Sequence, residues 1–187
     1  MKIELKNIKH FYALTDETNA FDAKLYVNDV LTAECSDTGK GGCIDIRAIK
    51  GREKLLKEAE EYTRSLPAVK TEDDFELEMD LELFIGQLVN ADIEEREFKK
   101  SVKKFEANNI VFGKSKTKMQ YTWFTTKGNN KKVSIATMLS TPSSRNMLAN
   151  RVKKLKEEGN QIFNTNIPAD ILNIPPSDGK FEKDKID

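Results

Sequence analysis

From Phe21 to Ala48 apolar and polar positions alternate along the chain. Phe21, Ala23, Leu25 and Val27 are separated by Asp22, Lys24 and Tyr26, the period of a strand with one face buried. Asn28-Asp29 supplies a two-residue turn, because Asn and Asp tolerate the left-handed conformation such turns require. Val30 to Cys35 returns as a further strand. Ser36-Asp37-Thr38-Gly39-Lys40-Gly41-Gly42 reads as a loop, after which Ile44, Ile46 and Ala48 alternate with Asp45 and Arg47 as a short fourth strand. Upstream, Ile3 and Leu5, then Ile8 after a slip, predict a first strand within Lys2–Leu14, bulged near Lys6-Asn7. The amino-terminal part is thus expected to be an antiparallel meander.

The period then changes. Leu55, Leu56, Ala59 and Tyr62 recur at helical spacing from near Gly51 onward, with Pro67 beyond the helix. Between 74 and 83 two readings stay open. Phe75, Leu77, Met79, Leu81 and Leu83 alternate with acidic residues as a strand would, whereas Leu81, Phe84, Ile85, Leu88 and Val89 fit a helix. The spacing predicts an extended lead-in and then a helix capped near Asp80 and running to about Phe105, acidic at its start and basic at its end. Ile110 to Phe112 opens a second small sheet. Met119, Tyr121, Trp123 and Thr125 share one face of its next strand. Gly128-Asn129-Asn130 turns the chain, and Val133 and Ile135 return. Thr141 and Pro142 mark a helix start and Gly159 its end, with Leu148, Val152 and Leu155 as its buried stripe. Gln161–Phe163 is an expected edge strand, and Ile167–Leu172 a single helical turn. The fold class is α+β: one domain over 1–172, followed by a disordered tail over 173–187.

Charge changes this picture more than composition does. The net charge is zero, but residues 71–98 carry 11 acidic and 1 basic group, and residues 99–156 carry 15 basic and 1 acidic. No apolar run approaches the ~20 residues of a membrane span. The amino-terminus lacks the apolar core of a signal peptide. The expectation is a protein of the bacterial cytoplasm without a membrane partner, its two cysteines, Cys35 and Cys43, free by default.

Two stretches are candidates for binding. In Gly39, Lys40, Gly41 and Gly42 the glycines would let backbone N–H groups converge on an anion, with Lys40 adding charge. The Walker spacing is missing, since Lys40 is followed by Gly41 rather than Ser or Thr. In the basic region, lysines alternate with aromatic residues. Lys114, Lys116, Lys118, Lys131 and Lys132 would neutralise phosphates, and Tyr121 and Trp123 would stack bases, as on a single-strand binding surface. The competing expectation is that Met119, Tyr121 and Trp123 are core. The acidic run offers no metal-ligand spacing. A zinc set of Cys35, Cys43, His10 and a carboxylate is conceivable, but a lone histidine also weakens triad readings, and His10 lies in a strand.

The stretch Phe21-Asp-Ala-Lys-Leu-Tyr-Val-Asn28, followed by Gly39-Lys-Gly-Gly-Cys43, resembles a family of small proteins of tailed bacteriophages and their prophages. Those proteins share a strand of the form F-x-A-x-x-Y-V/I-x-G and a Gly-x-Gly-Gly loop. Asp29 departs from that pattern, where the family has Gly. The resemblance implies an accessory protein of the infected cell and carries over no functional residue. The three strands, Gly-Lys loop and helix also resemble the layout of a double-stranded-RNA-binding domain, without its leading helix and with a fourth strand added. Together these readings lead to a non-enzymatic phage accessory protein that acts on a host component, such as a defence or signalling system. Its expected ligand is a nucleotide signal or nucleic acid, and no cofactor is expected. The alternatives are an inhibitor of a host protein and, third, a metal-dependent enzyme using Glu76 and Glu78.

Overall fold

The strand β2 (Phe21–Val27) buries Phe21, Ala23, Leu25 and Val27 and turns Asp22, Lys24 and Tyr26 to the other face. It is an inner strand of an antiparallel sheet of order β1-β2-β3-β4, with β1 (Ile3–His10), β3 (Val30–Asp37) and β4 (Asp45–Ala48). Asn28 and Asp29 take φ of 49° and 65°, which is the hairpin geometry their side chains tolerate. The slip in β1 is a bulge between Lys6 and Lys9, with Asn7 at φ 56°. The first strand ends at His10, short of the expected Leu14. Phe11, Tyr12 and Leu14 lie beyond it and are exposed.

The computed structural model describes residues 1–70, 74–126 and 128–174. It divides into two compact units, Met1–Glu95 and Arg96–Asp187, where the sequence reads as one domain over 1–172. Of the expected tail, Asn173 donates to the Ala169 carbonyl at 2.8 Å, and 175–187 lie outside the described residues.

In the first unit, α1 (Glu53–Arg64) lies against β2 and β3. It buries Leu56, Ala59 and Thr63, with Leu55 and Tyr62 half-buried beside them. A two-stranded hairpin follows, β5 (Val69–Lys70) with β6 (Glu76–Leu77). The 74–83 ambiguity resolves by position, because only Glu76–Leu77 is strand. The helix α2 then runs Leu81–Phe105, and Asp80 Oδ1 accepts the Leu83 N–H at 2.7 Å as its cap. Leu81, Ile85 and Val89 join the sheet's buried face in one core. The division between the units falls within α2.

The second unit holds a three-stranded antiparallel sheet of order β11-β7-β8: β11 (Gln161–Ile162), β7 (Ile110–Gly113) and β8 (Met119–Thr122). A short hairpin pairs β9 (Phe124–Thr125) with β10 (Lys132–Val133). The return strand is shorter than expected. Ser134 Oγ accepts the Thr137 N–H at 3.1 Å and starts α3 (Ile135–Leu139), so Ile135 is a buried helical residue rather than a strand residue. Thr141 caps α4 (Pro142–Glu157) with Pro142 at its first position. Leu148, Val152 and Leu155 of α4 pack with Ile110, Phe112, Ile135 and Met138 in a separate core. A last turn, α5 (Ala169–Leu172), adds Ile171 to it. No helix among the described residues is long and apolar enough to cross a membrane.

Candidate nucleic-acid interface

The glycine-rich loop lies in the first unit between β3 and β4, and its polar groups are largely occupied. The Gly39 N–H donates to Asp37 Oδ1 at 2.7 Å, and the Gly41 N–H donates to Thr18 Oγ1 at 3.4 Å. The Gly39 carbonyl receives the N–H groups of Asp16, Glu17 and Thr18 at 2.9, 3.1 and 3.4 Å. Gly39 has φ 82°, and a methyl there would come within 2.4 Å of the Leu14 carbonyl oxygen. Glycine is therefore required for this close approach. At Gly41 an added methyl would meet the Glu17 carboxylate at 2.3 Å. An anion at Gly39–Gly42 would face two N–H groups already engaged and two carboxylates, Asp37 and Glu17, beside the loop. Lys40 is exposed.

The open face of the same sheet carries a groove of about 670 Å³ lined by Asp22, Lys24, Glu34, Ser36 and Arg47 among others. Lys24 stands opposite Glu34 across β2 and β3, and Glu34 opposite Arg47 across β3 and β4. With the two signs interleaved, this face favours no one charge of ligand. His10 lies in β1 with its ring 3% exposed and its Nε2 2.7 Å from Asp92 Oδ2. Among the described residues no group of histidines, cysteines and carboxylates is arranged to hold a metal. Cys35 is buried and Cys43 exposed, both unbonded. Burial, with the Asp45 charge as a smaller contribution, pushes the Cys35 thiol up to about 12.

The basic stretch is different. Gly113 ends β7 where a methyl would lie 2.3 Å from the Lys118 carbonyl oxygen. The missing side chain lets the tight turn at Lys116–Lys118 fold back and deliver β8 against β7, with Tyr121 opposite Val111. From there the strand period decides which side chains face out. Phe124 packs into the second core. Tyr121 and Trp123, of opposite parity, remain 46% and 45% exposed. The expectation that they are core is therefore overturned, while their common face is as the alternation predicts. Lys132 pairs with Thr125 across the β9–β10 hairpin, which puts it diagonal to Trp123 on the outer face.

These residues form one run of rings with cations on it. Phe105, at the end of α2, stacks on Tyr121 with centroids 4.8 Å apart and planes 11° apart. Tyr121 lies 6.1 Å from Trp123, tilted by 35°. The Lys132 Nζ sits 4.1 Å over the Trp123 ring, and the Lys104 Nζ 5.4 Å from the Phe105 ring. Of the seven residues singled out in the sequence, the structure brings Tyr121, Trp123 and Lys132 together. Lys114 and Lys118 are exposed on the turn that precedes β8, and Lys131 is exposed in the hairpin. Lys116 lies 5.4 Å over Phe98. Phe105 and Lys104 belong to the run but were not among the seven. Their signal was an aromatic residue at the basic end of a helix, which sequence alone does not distinguish from a helix-terminal core residue.

The only acidic residue between 99 and 156 is Glu106, and it does not reach the face. It is 5% exposed. Its carboxylate lies 2.8 Å from Lys103 Nζ and accepts the Thr165 N–H and hydroxyl, each at 2.8 Å. Burial raises its pKa, but Lys103 and the two Thr165 donors outweigh burial and hold it below the usual carboxylate range. Burying this charge leaves the lysines around the rings without a competing anion of their own segment.

No family model, curated protein or solved structure matches the chain.

Proposed function

We propose that the protein binds single-stranded nucleic acid on the outer face of β8–β10, without carrying out chemistry on it. The observation that supports this reading is the run Phe105–Tyr121–Trp123, exposed at its tyrosine and tryptophan, with Lys104 and Lys132 over its outer rings. Half-exposed tyrosine and tryptophan offer π-faces that any base can stack on, and lysines around them follow a phosphate backbone. A duplex hides its base faces and would gain only the charge. The resemblance to phage accessory proteins would set this binding in an infected bacterial cell, with the host target as the ligand's source.

The test is fluorescence anisotropy with a labelled twelve-nucleotide single strand across a salt series. With about four phosphates neutralised, the logarithm of affinity should fall with log salt at a slope near −3. Trp123→Ala should weaken binding roughly 10–100-fold, the range of one lost base stack, while leaving circular dichroism unchanged. No binding at 50 mM salt, or equal affinity for Trp123→Ala, would refute the reading.

A further inference from the structure

Lys132 covers one face of the exposed Trp123 ring, a place where a base could stack. Tyr121 lies beside the indole, with centroids 6.1 Å apart and planes tilted by 35°. The Lys132 ammonium lies 4.1 Å from the ring centroid, the level at which a base in van der Waals contact would sit, ~3.5–4.0 Å above the ring. Both cannot be there at once. Stacking a base on an aromatic ring is also the stronger of the two interactions, since a cation over an exposed ring is worth less.

Resting on the single-strand reading above, we infer that Lys132 is an exchanging cap. In the free protein it covers Trp123; on binding it gives up the ring to a base and transfers its ammonium to a neighbouring phosphate. Its position suits both tasks. Lys132 is exposed on a hairpin strand whose backbone pairs with Thr125, and its flexible stem lets the ammonium swing while the backbone stays. The cap shields an exposed tryptophan when no ligand is present, and the same charge then adds to binding. Lys132 is thus a specificity-determining residue, because it admits a ligand that offers a base and a phosphate together and resists one that offers only an apolar surface.

This exchange has a signature that a simple phosphate contact lacks. Lys132→Ala removes one phosphate contact, so the salt dependence of single-strand binding should become shallower by about 0.7. It also removes the competitor for the ring, so at high salt, where phosphate contacts no longer count, the variant should bind about two- to five-fold more tightly than the wild type. The two lines therefore cross below 1 M salt. Lys131→Ala, from the same hairpin, serves as control: its line should be shallower and converge on the wild type without crossing. In the free protein, Lys132→Ala should also raise acrylamide quenching of Trp123, the single tryptophan. The probe is a twelve-residue oligothymidylate between 0.05 and 0.5 M salt. Lines that converge without crossing mean Lys132 meets phosphate but competes with nothing, and overturn the inference. An unchanged slope means the ammonium stays on the ring, and overturns it as well. Absence of wild-type binding overturns the single-strand reading and this one with it.

Discussion

Asn164 closes the second unit, and its replacement offers a direct test of that structure. Its side chain is 5% exposed and joins three segments. Its Oδ1 accepts the Val111 N–H at 2.6 Å. Its Nδ2 donates to the Asn109 carbonyl at 2.9 Å and the Asn166 Oδ1 at 2.9 Å, with a longer approach to the Glu106 carbonyl at 3.4 Å. Val111 is fully buried on the central strand, so no water reaches its N–H once the amide is gone. Asn164→Ala therefore removes two good buried hydrogen bonds and strands a donor, together roughly 2–4 kcal/mol. With a urea dependence of about 1–3 kcal/mol/M, the unfolding midpoint should fall by roughly 1–2 M. Trp123, the single tryptophan, lies in the same unit, so its fluorescence follows that unit's unfolding. Asn166→Ala gives the comparison: this exposed side chain donates to the Glu106 carbonyl at 2.8 Å and accepts from Asn164 Nδ2 at 2.9 Å, but leaves the Val111 N–H paired, so it should cost clearly less than Asn164→Ala, about 1 kcal/mol. A midpoint for Asn164→Ala within about 0.3 M of the wild type, on a dependence of this size, would refute the argument that this amide holds β7 to the 164–166 segment.

Two further outcomes follow from titratable groups. The folded pKa of Glu106 is held below its ordinary value of 4.5, so its stabilisation is complete above that value and is lost as pH falls through the lower folded one; the Trp123-monitored urea midpoint should drop from about pH 5 downward, and Glu106→Gln should flatten that drop, an unchanged profile arguing against a charged Glu106–Lys103 pair. At pH 7.5 one thiol, Cys43, should react at once with an aromatic disulfide reagent and Cys35 only after denaturation, its pKa being pushed up to about 12 by burial; two fast thiols would show that the first core is open at β3.

The elements carried by strict periodicity were legible in the sequence. Phe21 to Val27, the Asn28-Asp29 turn, the helix capped at Asp80 and the Thr141-Pro142 start of α4 each follow from local backbone preference and one-sided burial, which are properties of neighbouring residues. Misreadings came where a short segment suited two conformations. Ile135 continues an alternating pattern, yet Ser134 caps a helix there and the core accepts the isoleucine from that helix. The strand at Lys2–Leu14 stops at His10 because the chain turns there, the Leu14 N–H donating to the Phe11 carbonyl at 2.8 Å. The alternation also showed that Tyr121 and Trp123 share a face.

Whether that face was core or surface was beyond the sequence, since an aromatic strand face reads the same in both settings. The tertiary structure decided it by sending Phe124 into the second core and leaving its neighbours outside. The glycine loop is the converse case. Gly39-Lys-Gly-Gly suggests an open anion cradle, but Asp37 takes the Gly39 N–H, Thr18 takes the Gly41 N–H, and the 16–18 N–H groups donate to the Gly39 carbonyl; the 16–18 partners come from about twenty residues upstream, and only the fold brings them there. Local sequence determined the period, the turns and the helix ends of this protein, because those depend on adjacent backbone and side-chain sterics. Which polar and aromatic groups remain available to a ligand was decided by tertiary structure, because availability depends on what distant segments cover, pair or neutralise, as Thr165 does for Glu106.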